Sequence, residues 1–197
     1  MNSVPISATR PTTGIRVAQV VGLTASAYLA GALGGFSVVA GPALLKAPAP
    51  LLAKQWQTVY DNGKVMAPPL SVLCSAIFGY LAYREPTASS SFKLYTAAAI
   101  VVPSMIPYTV FFMGGVNSKL QEKASSLADA SLTDTAVESG VAQGETVHQL
   151  VDKWLTLNLA RSLLPLFGTL AAGWAIADKF EVLGLGAVLK TGADRMG

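Results

Sequence analysis

Four long stretches of this chain carry no formal charge, and that distribution constrains its fold more than any other feature. Between Arg16 and Lys46 lie 29 uncharged residues, VAQVVGLTASAYLAGALGGFSVVAGPALL. A run of 19 separates Lys64 from Arg84, and a run of 25 separates Lys93 from Lys119. The last run follows Arg161 and reaches Ala177 in 16 residues, or 24 if its helix starts at Trp154 with Arg161 inside it. A bilayer core about 30 Å thick is crossed by roughly 20 helical residues rising about 1.5 Å each. All four runs fit. The expected fold is all-α: an integral membrane, multi-pass four-helix bundle with spans at about 17–45, 65–83, 94–118 and 154–177. A polar, partly helical loop joins the third span to the fourth.

Composition narrows the function classes. Charged residues make up 13% of the chain and hydrophobic ones 52%, against roughly 25% charged in an ordinary soluble domain. That balance excludes a disordered chain and argues against a soluble monomer. A scattered net charge of +3 gives no footing for nucleic acid. With one cysteine, Cys74, and one histidine, His148, the chain cannot build an internal disulfide, a CxxC pair, a thiolate zinc site or a histidine-cluster metal site. The expectation is therefore no metal and no cofactor.

Residues 1–15 read as a flexible N-terminal tail, 16–178 as the bundle and 179–197 as a C-terminal tail. The apolar stretch Val182–Leu189 is too short to cross a bilayer and is expected at its interface. The first span exceeds the ~7–15 residues of a signal-peptide core, so it reads as a retained helix. Lysines and arginines divide seven and seven between the two sides, so no orientation follows from charge.

Small residues four apart (Gly31 and Gly35, Ser75 and Gly79, Gly168 and Ala172) could bring helix backbones close, within one chain or between copies in a homo-oligomer. Pro68-Pro69 is placed to open the second helix. Pro103, Pro107 and Pro165 each remove an N–H and so free the carbonyls of Ala99, Pro103 and Arg161. In lipid those carbonyls must find partners or line a polar cavity. The segment from Lys119 to Lys153 holds six of the eleven acids (Glu122, Asp129, Asp134, Glu138, Glu145, Asp152) and reads as a water-exposed cap over one mouth of the bundle.

Polar and ionisable groups inside spans are costly, which makes them the leading functional candidates. At 100° per residue, Trp154, Asn158, Arg161 and Pro165 fall on one helical stripe about 60° wide. Arg161 either belongs to a polar site or reaches the interface, where Asp152 or Asp61 could pair with it. His148 and Asp152 are four apart and share a face, suited to orienting a general base, yet that face is turned roughly 120–140° from the stripe. Asn117 ends the third span at the same mouth as Arg161, and Trp56 and Tyr60 stand one turn apart on that side. No GxSxG, HExxH, GKS/GKT or GxGxxG motif is present.

Taken together, the glycine-rich first span, Trp56-xxx-Tyr60 before Pro68-Pro69, Asn117-xx-Leu120 at the end of the third span and Trp154-xxx-Asn158-xx-Arg161 form a pattern. It resembles the DUF1772 family of small four-span membrane proteins, whose fungal members include the anthrone oxygenases of polyketide pathways. The similarity covers roughly residues 15–178, and the Trp-xxx-Asn-xx-Arg segment is its most specific part. The resemblance implies a monooxygenase of secondary metabolism that oxidises an anthrone-type polyketide to an anthraquinone with O2 and no cofactor. The implied partners are an apolar aromatic small molecule, O2 and the lipid bilayer. In that reading Arg161 holds the developing oxyanion, Asn158, Asn117 and Trp154 are donors, Trp56 and Tyr60 help wall the substrate, and His148 or Asp152 takes the proton. The residues themselves leave open a non-catalytic binding or scaffold subunit, or another tailoring enzyme of apolar natural products such as a cyclase.

The chain should fractionate with membranes and give a helical circular dichroism spectrum. Recovery in the soluble fraction after detergent-free lysis, with a strand-rich spectrum, would contradict the four-span reading.

Overall fold

Each uncharged run forms part of a helix longer than the run itself. The structure, a computed structural model, describes residues 12–194, with side chains described through residue 178. The helices are α1 (Thr13–Leu44), α2 (Ala49–Tyr83), α3 (Ser90–Ser126) and α4 (Val147–Asp194), and no strand occurs among the described residues. All four contain segments long and apolar enough to span a bilayer, and the protein is a multi-pass integral membrane protein. Residues 1–11 of the expected N-terminal tail lie outside the described residues. The backbone of α4 runs through the expected interfacial stretch Val182–Leu189 to Asp194, and the side chains there also lie outside the described residues.

Prolines shape three of the helices. The second helix does not open at Pro68-Pro69: it starts at Ala49, with Pro48 at the N-cap and Pro50 in the first turn, where a missing N–H costs nothing. Pro68 and Pro69 sit inside it, and the Pro68 carbonyl accepts a hydrogen bond from Ser71 Oγ at 2.8 Å. A helix of 35 residues is about 52 Å long, so its first turns, with Lys54, Asp61 and Lys64, project beyond the apolar core. In α1 the backbone widens to π-helical turns over Phe36–Ala40, just before Pro42, whose ring would clash with the Val38 carbonyl in a regular helix. A second π segment, Thr109–Met113, follows Pro103 and Pro107 in α3. The carbonyls these prolines free are satisfied: Ala99 O accepts from Ser75 Oγ at 2.6 Å and Pro103 O from Ile106 N at 2.9 Å.

Around the bundle, α1 packs on α2 and α4, and α3 packs on α2 and α4. Two separate apolar cores result. One lies among the spans and includes Leu29, Phe78, Leu81, Tyr95, Val102 and Ala172. The other lies toward the loop end and includes Leu52, Trp56, Met113, Leu120, Val147 and Trp154. Buried polar pins tie the spans: Gln19 Nε2 donates to Tyr95 Oη at 3.0 Å, and Thr169 Oγ1 donates to Ser26 Oγ at 2.9 Å.

The acidic loop is more than a solvated face. Both Glu138 carboxylate oxygens accept the Val147 N–H, at 3.1 and 3.0 Å, and Lys123 pairs with the same side chain at 3.0 Å. A carboxylate at a helix N-terminus satisfies an orphan donor and complements the helix dipole. Glu138 thus fixes where α4 begins, and Lys119–Glu145 at 3.2 Å adds a second strap from α3.

Among the glycines of the small-residue pairs, only Gly168 marks a close approach within the chain. A Cβ on Gly168 would overlap Val102 Cγ2, whereas nothing lies within 4 Å of one on Gly31, Gly35 or Gly79. Val102 is fully buried and β-branched, so it cannot swing aside cheaply. Gly168→Ala should cost about 1–3 kcal/mol of stability, and Val102→Ala in the same chain should recover most of it. Gly31→Ala should be neutral or gain about 0.5–1 kcal/mol. Chemical unfolding in mild-detergent micelles measures all three.

Candidate active site

Where the two cores meet, the helices enclose a half-open cavity of about 430 Å³. Volumes of roughly 300–1,000 Å³ with apolar walls and a few polar groups suit small-molecule ligands. Its wall is mostly apolar, with Leu33 and Phe36 from α1, Ala67 and Pro68 from α2, and Met105 and Ile106 from α3. Both π segments contribute, through Phe36 and through Thr109 and Val110. Such wide turns often accompany functional sites because they re-aim side chains.

The deep polar part of the wall is the Trp154–Asn158–Arg161 stripe of α4 with Asn117 and Thr109 of α3, and Tyr60, Asn62 and Lys64 of α2 add polar groups toward the rim. Asn158 is 1% exposed and fully committed. Its Nδ2 donates to Leu33 O and Ser37 Oγ, both at 2.8 Å, and its Oδ1 accepts from Arg161 Nη2 at 2.6 Å. Arg161 Nη1 donates to Thr109 Oγ1 at 2.9 Å, and Thr109 Oγ1 donates in turn to Met105 O at 2.7 Å. Neither Asp152 nor Asp61 pairs with Arg161, and no ion pair among the described residues includes it. Its buried Nε has no hydrogen-bond partner. A guanidinium carries five N–H donors, so Arg161 keeps donors in hand while being held by neutral oxygens only.

Trp154 Nε1 donates to Asn117 Oδ1 at 2.9 Å, which leaves the Asn117 amide nitrogen uncommitted. Trp56 is 1% exposed and stacks on Tyr60 with ring centroids 5.1 Å apart. It meets Trp154 edge-on at 6.1 Å, and Phe36 meets Trp154 edge-on at 5.8 Å. Tyr60 lines the cavity, and Trp56 backs it from behind.

His148 and Asp152 are not brought to the cavity. His148 Nε2 lies 2.9 Å from Ala47 O, tying the start of α4 to the turn before α2. Asp152 is exposed on the outer face of α4. Both follow from the helical angle that separates their face from the Asn158–Arg161 stripe. Thr109 and Lys64 are wall residues that the sequence did not single out. Thr109 was legible in principle, as a hydroxyl two residues past Pro107 in an uncharged span. Lys64 Nζ is 2.6 Å from Asp61 Oδ1 and 5.3 Å from the Tyr60 ring centroid, so it sits at the rim with its charge outward.

Fold and cavity define a membrane-embedded bundle that presents an unpaired cation to a mostly apolar ligand space. The sequence pattern of the anthrone oxygenase family matches residues 56–171, and the chain belongs to that family. It is 31% identical over 159 residues to an anthrone oxygenase, encC, of Aspergillus fumigatus, covering 76% of this chain and 87% of that protein. An anthrone oxygenase of Claviceps purpurea is 31% identical, covering 83% of this chain and 90% of its own. A noranthrone monooxygenase of Aspergillus flavus is 30% identical, covering 82% and 73%. No solved structure matches the chain.

Asn158→Leu strips partners from Leu33 O, Ser37 and Arg161 in one step. Leaving buried groups unsatisfied costs about 1–3 kcal/mol. The variant should therefore lose that much stability, measured by unfolding in micelles.

Proposed function

We propose that the protein oxidises an anthrone-type polyketide to the corresponding anthraquinone with O2, without flavin, haem or metal. The observation that carries this reading is the Arg161 guanidinium, unpaired by any described carboxylate, in the wall of an apolar cavity. Membership of the anthrone oxygenase family and the names of the relatives supply the substrate class. One cysteine and one histidine are too few for the usual metal ligand sets, and neither Cys74 nor His148, each able in principle to hold a haem alone, lines the cavity.

The methylene of an anthrone is acidified by two flanking rings and a carbonyl, and its deprotonation gives an anthrolate. That anion passes one electron to triplet O2, leaving a carbon radical and superoxide. Their recombination forms the C–O bond of a peroxide. Loss of the second methylene proton with cleavage of the O–O bond then gives the new carbonyl. One CH2 and one O2 become one C=O and one H2O. Arg161 holds the oxyanion, and the free Asn117 amide is the second donor, an arrangement that stabilises charge where it develops. Asn158 and Trp154 act by positioning those two groups, since their own donors are already used. Neither His148 nor Asp152 lines the cavity, and no carboxylate or imidazole among the described residues does. The proton therefore leaves to water at the rim, beside the Asp61–Lys64 pair.

Protein purified in detergent and treated with chelator should consume anthrone and O2 together. A strict requirement for flavin, NAD(P)H or a metal would refute the mechanism. Arg161→Ala should lower turnover by the equivalent of about 2–4 kcal/mol of transition-state stabilisation. Arg161→Lys should restore only part, because a compact ammonium lacks the planar fork whose two terminal nitrogens bind Thr109 and Asn158 separately. Equal turnover of Lys and wild-type protein at equal membrane abundance would remove Arg161 from the site.

A further inference from the structure

Packed protein closes the cavity on most sides, and its rim lies at Asn62 and Lys64. Toward the loop end it is roofed by the second core, in which Trp56, Met113, Leu120, Val147, Val151 and Trp154 are all buried. Toward the membrane centre it is floored by the first core. Along its sides, α4 packs on α1 and on α3. Between α1 and α2, Tyr28 Oη reaches Met66 Sδ at 3.8 Å. The α2–α3 side is different. Here α2 packs on α3 over residues 90–101 and again over 114–126, with little contact across 105–113. Ser75 Oγ on Ala99 O pins the lower contact. Above it α2 lacks two backbone N–H donors at Pro68-Pro69, and α3 leaves the α-helix around Pro103 and in the Thr109–Met113 π turns.

We propose that the cavity is loaded from within the bilayer, through a lateral window between Lys64 and Pro68 of α2 and Ile106 and Val110 of α3, by an apolar aromatic small molecule dissolved in lipid. All four residues line the cavity. Outside the window the surface is apolar: Val110 is 66% exposed, Phe111 80%, Phe112 64% and Val65 70%. In a multi-pass membrane protein such a surface faces acyl chains. Lys64, held outward by Asp61, marks the level at which that apolar belt gives way to the polar interface. A lipid-dissolved ligand moving inward from this belt passes Pro68, Ile106 and Val110 before it reaches Thr109, Asn117 and Arg161. This inference concerns access and stands whether or not the bound molecule is oxidised.

The test uses a reporter thiol inside the cavity and needs no turnover. In a Cys74→Ala background, Ala32→Cys places a thiol on the α1 wall, across from the window, and Val59→Cys provides a second reporter if the first fails to fold. Proteoliposomes are treated with benzyl methanethiosulfonate or with its anionic sulfonatoethyl analogue, each rate normalised to reaction with a free thiol. Through a lipid window the apolar reagent should react roughly a hundredfold faster, the scale of the cost of taking a charge through apolar surroundings. Through water the anionic reagent would be drawn in by Arg161 and Lys64 and would keep pace. Val110→Trp should slow the apolar reagent severalfold, whereas Met66→Trp, on the α1 side of α2, should leave it unchanged. Equal rates for the two reagents, labelling by neither, or slowing by Met66→Trp in place of Val110→Trp would each overturn the proposal.

Discussion

Holding one guanidinium among apolar spans without a counter-ion is the constraint on which the rest of the site depends. Removing a cation from water is expensive, and a buried carboxylate partner would offset the cost while cancelling the charge. This protein uses neutral oxygens instead, Asn158 Oδ1 and Thr109 Oγ1. Asn158 can serve because its own amide is oriented by Leu33 O and Ser37 on α1. Thr109 can serve because it accepts from Arg161 while donating to Met105 O. A continuous polar chain therefore runs from α1 through α4 to α3. It fixes the position of the cation and preserves its field.

That chain passes where the bundle cannot pack continuously. The π turns at Phe36–Ala40 and Thr109–Met113 lie on opposite sides of the Arg161 network and leave the α-helical register at nearly the same level. Close by, Pro68-Pro69 removes two N–H donors from α2 without ending it. Each irregularity moves backbone out of close helix packing, and together they part the span core from the loop-end core. The cavity is the space between those cores. Its aromatic backing of Phe36, Trp154, Trp56 and Tyr60 keeps that space from collapsing, since large edge-on and stacked rings fill volume with few rotamers.

Much of this was legible in the sequence, and the rest was hidden for physical reasons. Uncharged runs of spanning length disclosed the four helices because lipid tolerates few charges. The 100° period disclosed the Trp154–Asn158–Arg161 stripe, and it already turned His148 and Asp152 away from it. Helix limits were hidden because charges end an apolar run without ending a helix: α2 continues through Lys64, Asp61 and Lys54 back to Ala49. Pro68-Pro69 misled for the same reason, since a run that begins after Lys64 makes an interior proline pair look like a helix start. The role of Glu138 depends on a 20-residue loop folding back on Val147, which no local pattern encodes. Spacing alone could not tell Gly168, which faces Val102, from Gly31, which faces nothing.

The same economy bears on what the cavity can favour. A charge's field is stronger where neighbouring matter is less polarisable, so Arg161 acts on a bound anion more than an exposed arginine could. With no described carboxylate in the wall, little of that field is spent on a competing partner. A neutral aromatic ketone would gain one modest hydrogen bond there, and its enolate a charge-assisted one. The difference between those two states is the quantity a deprotonating site must supply. A cavity with an unpaired cation in its wall can therefore promote proton loss without a strong base in contact with carbon. This explains how an anthrone-oxidising role is compatible with His148 and Asp152 lying off the cavity. In such a site the polar chain through Asn158 is as much a part of the chemistry as the guanidinium it holds.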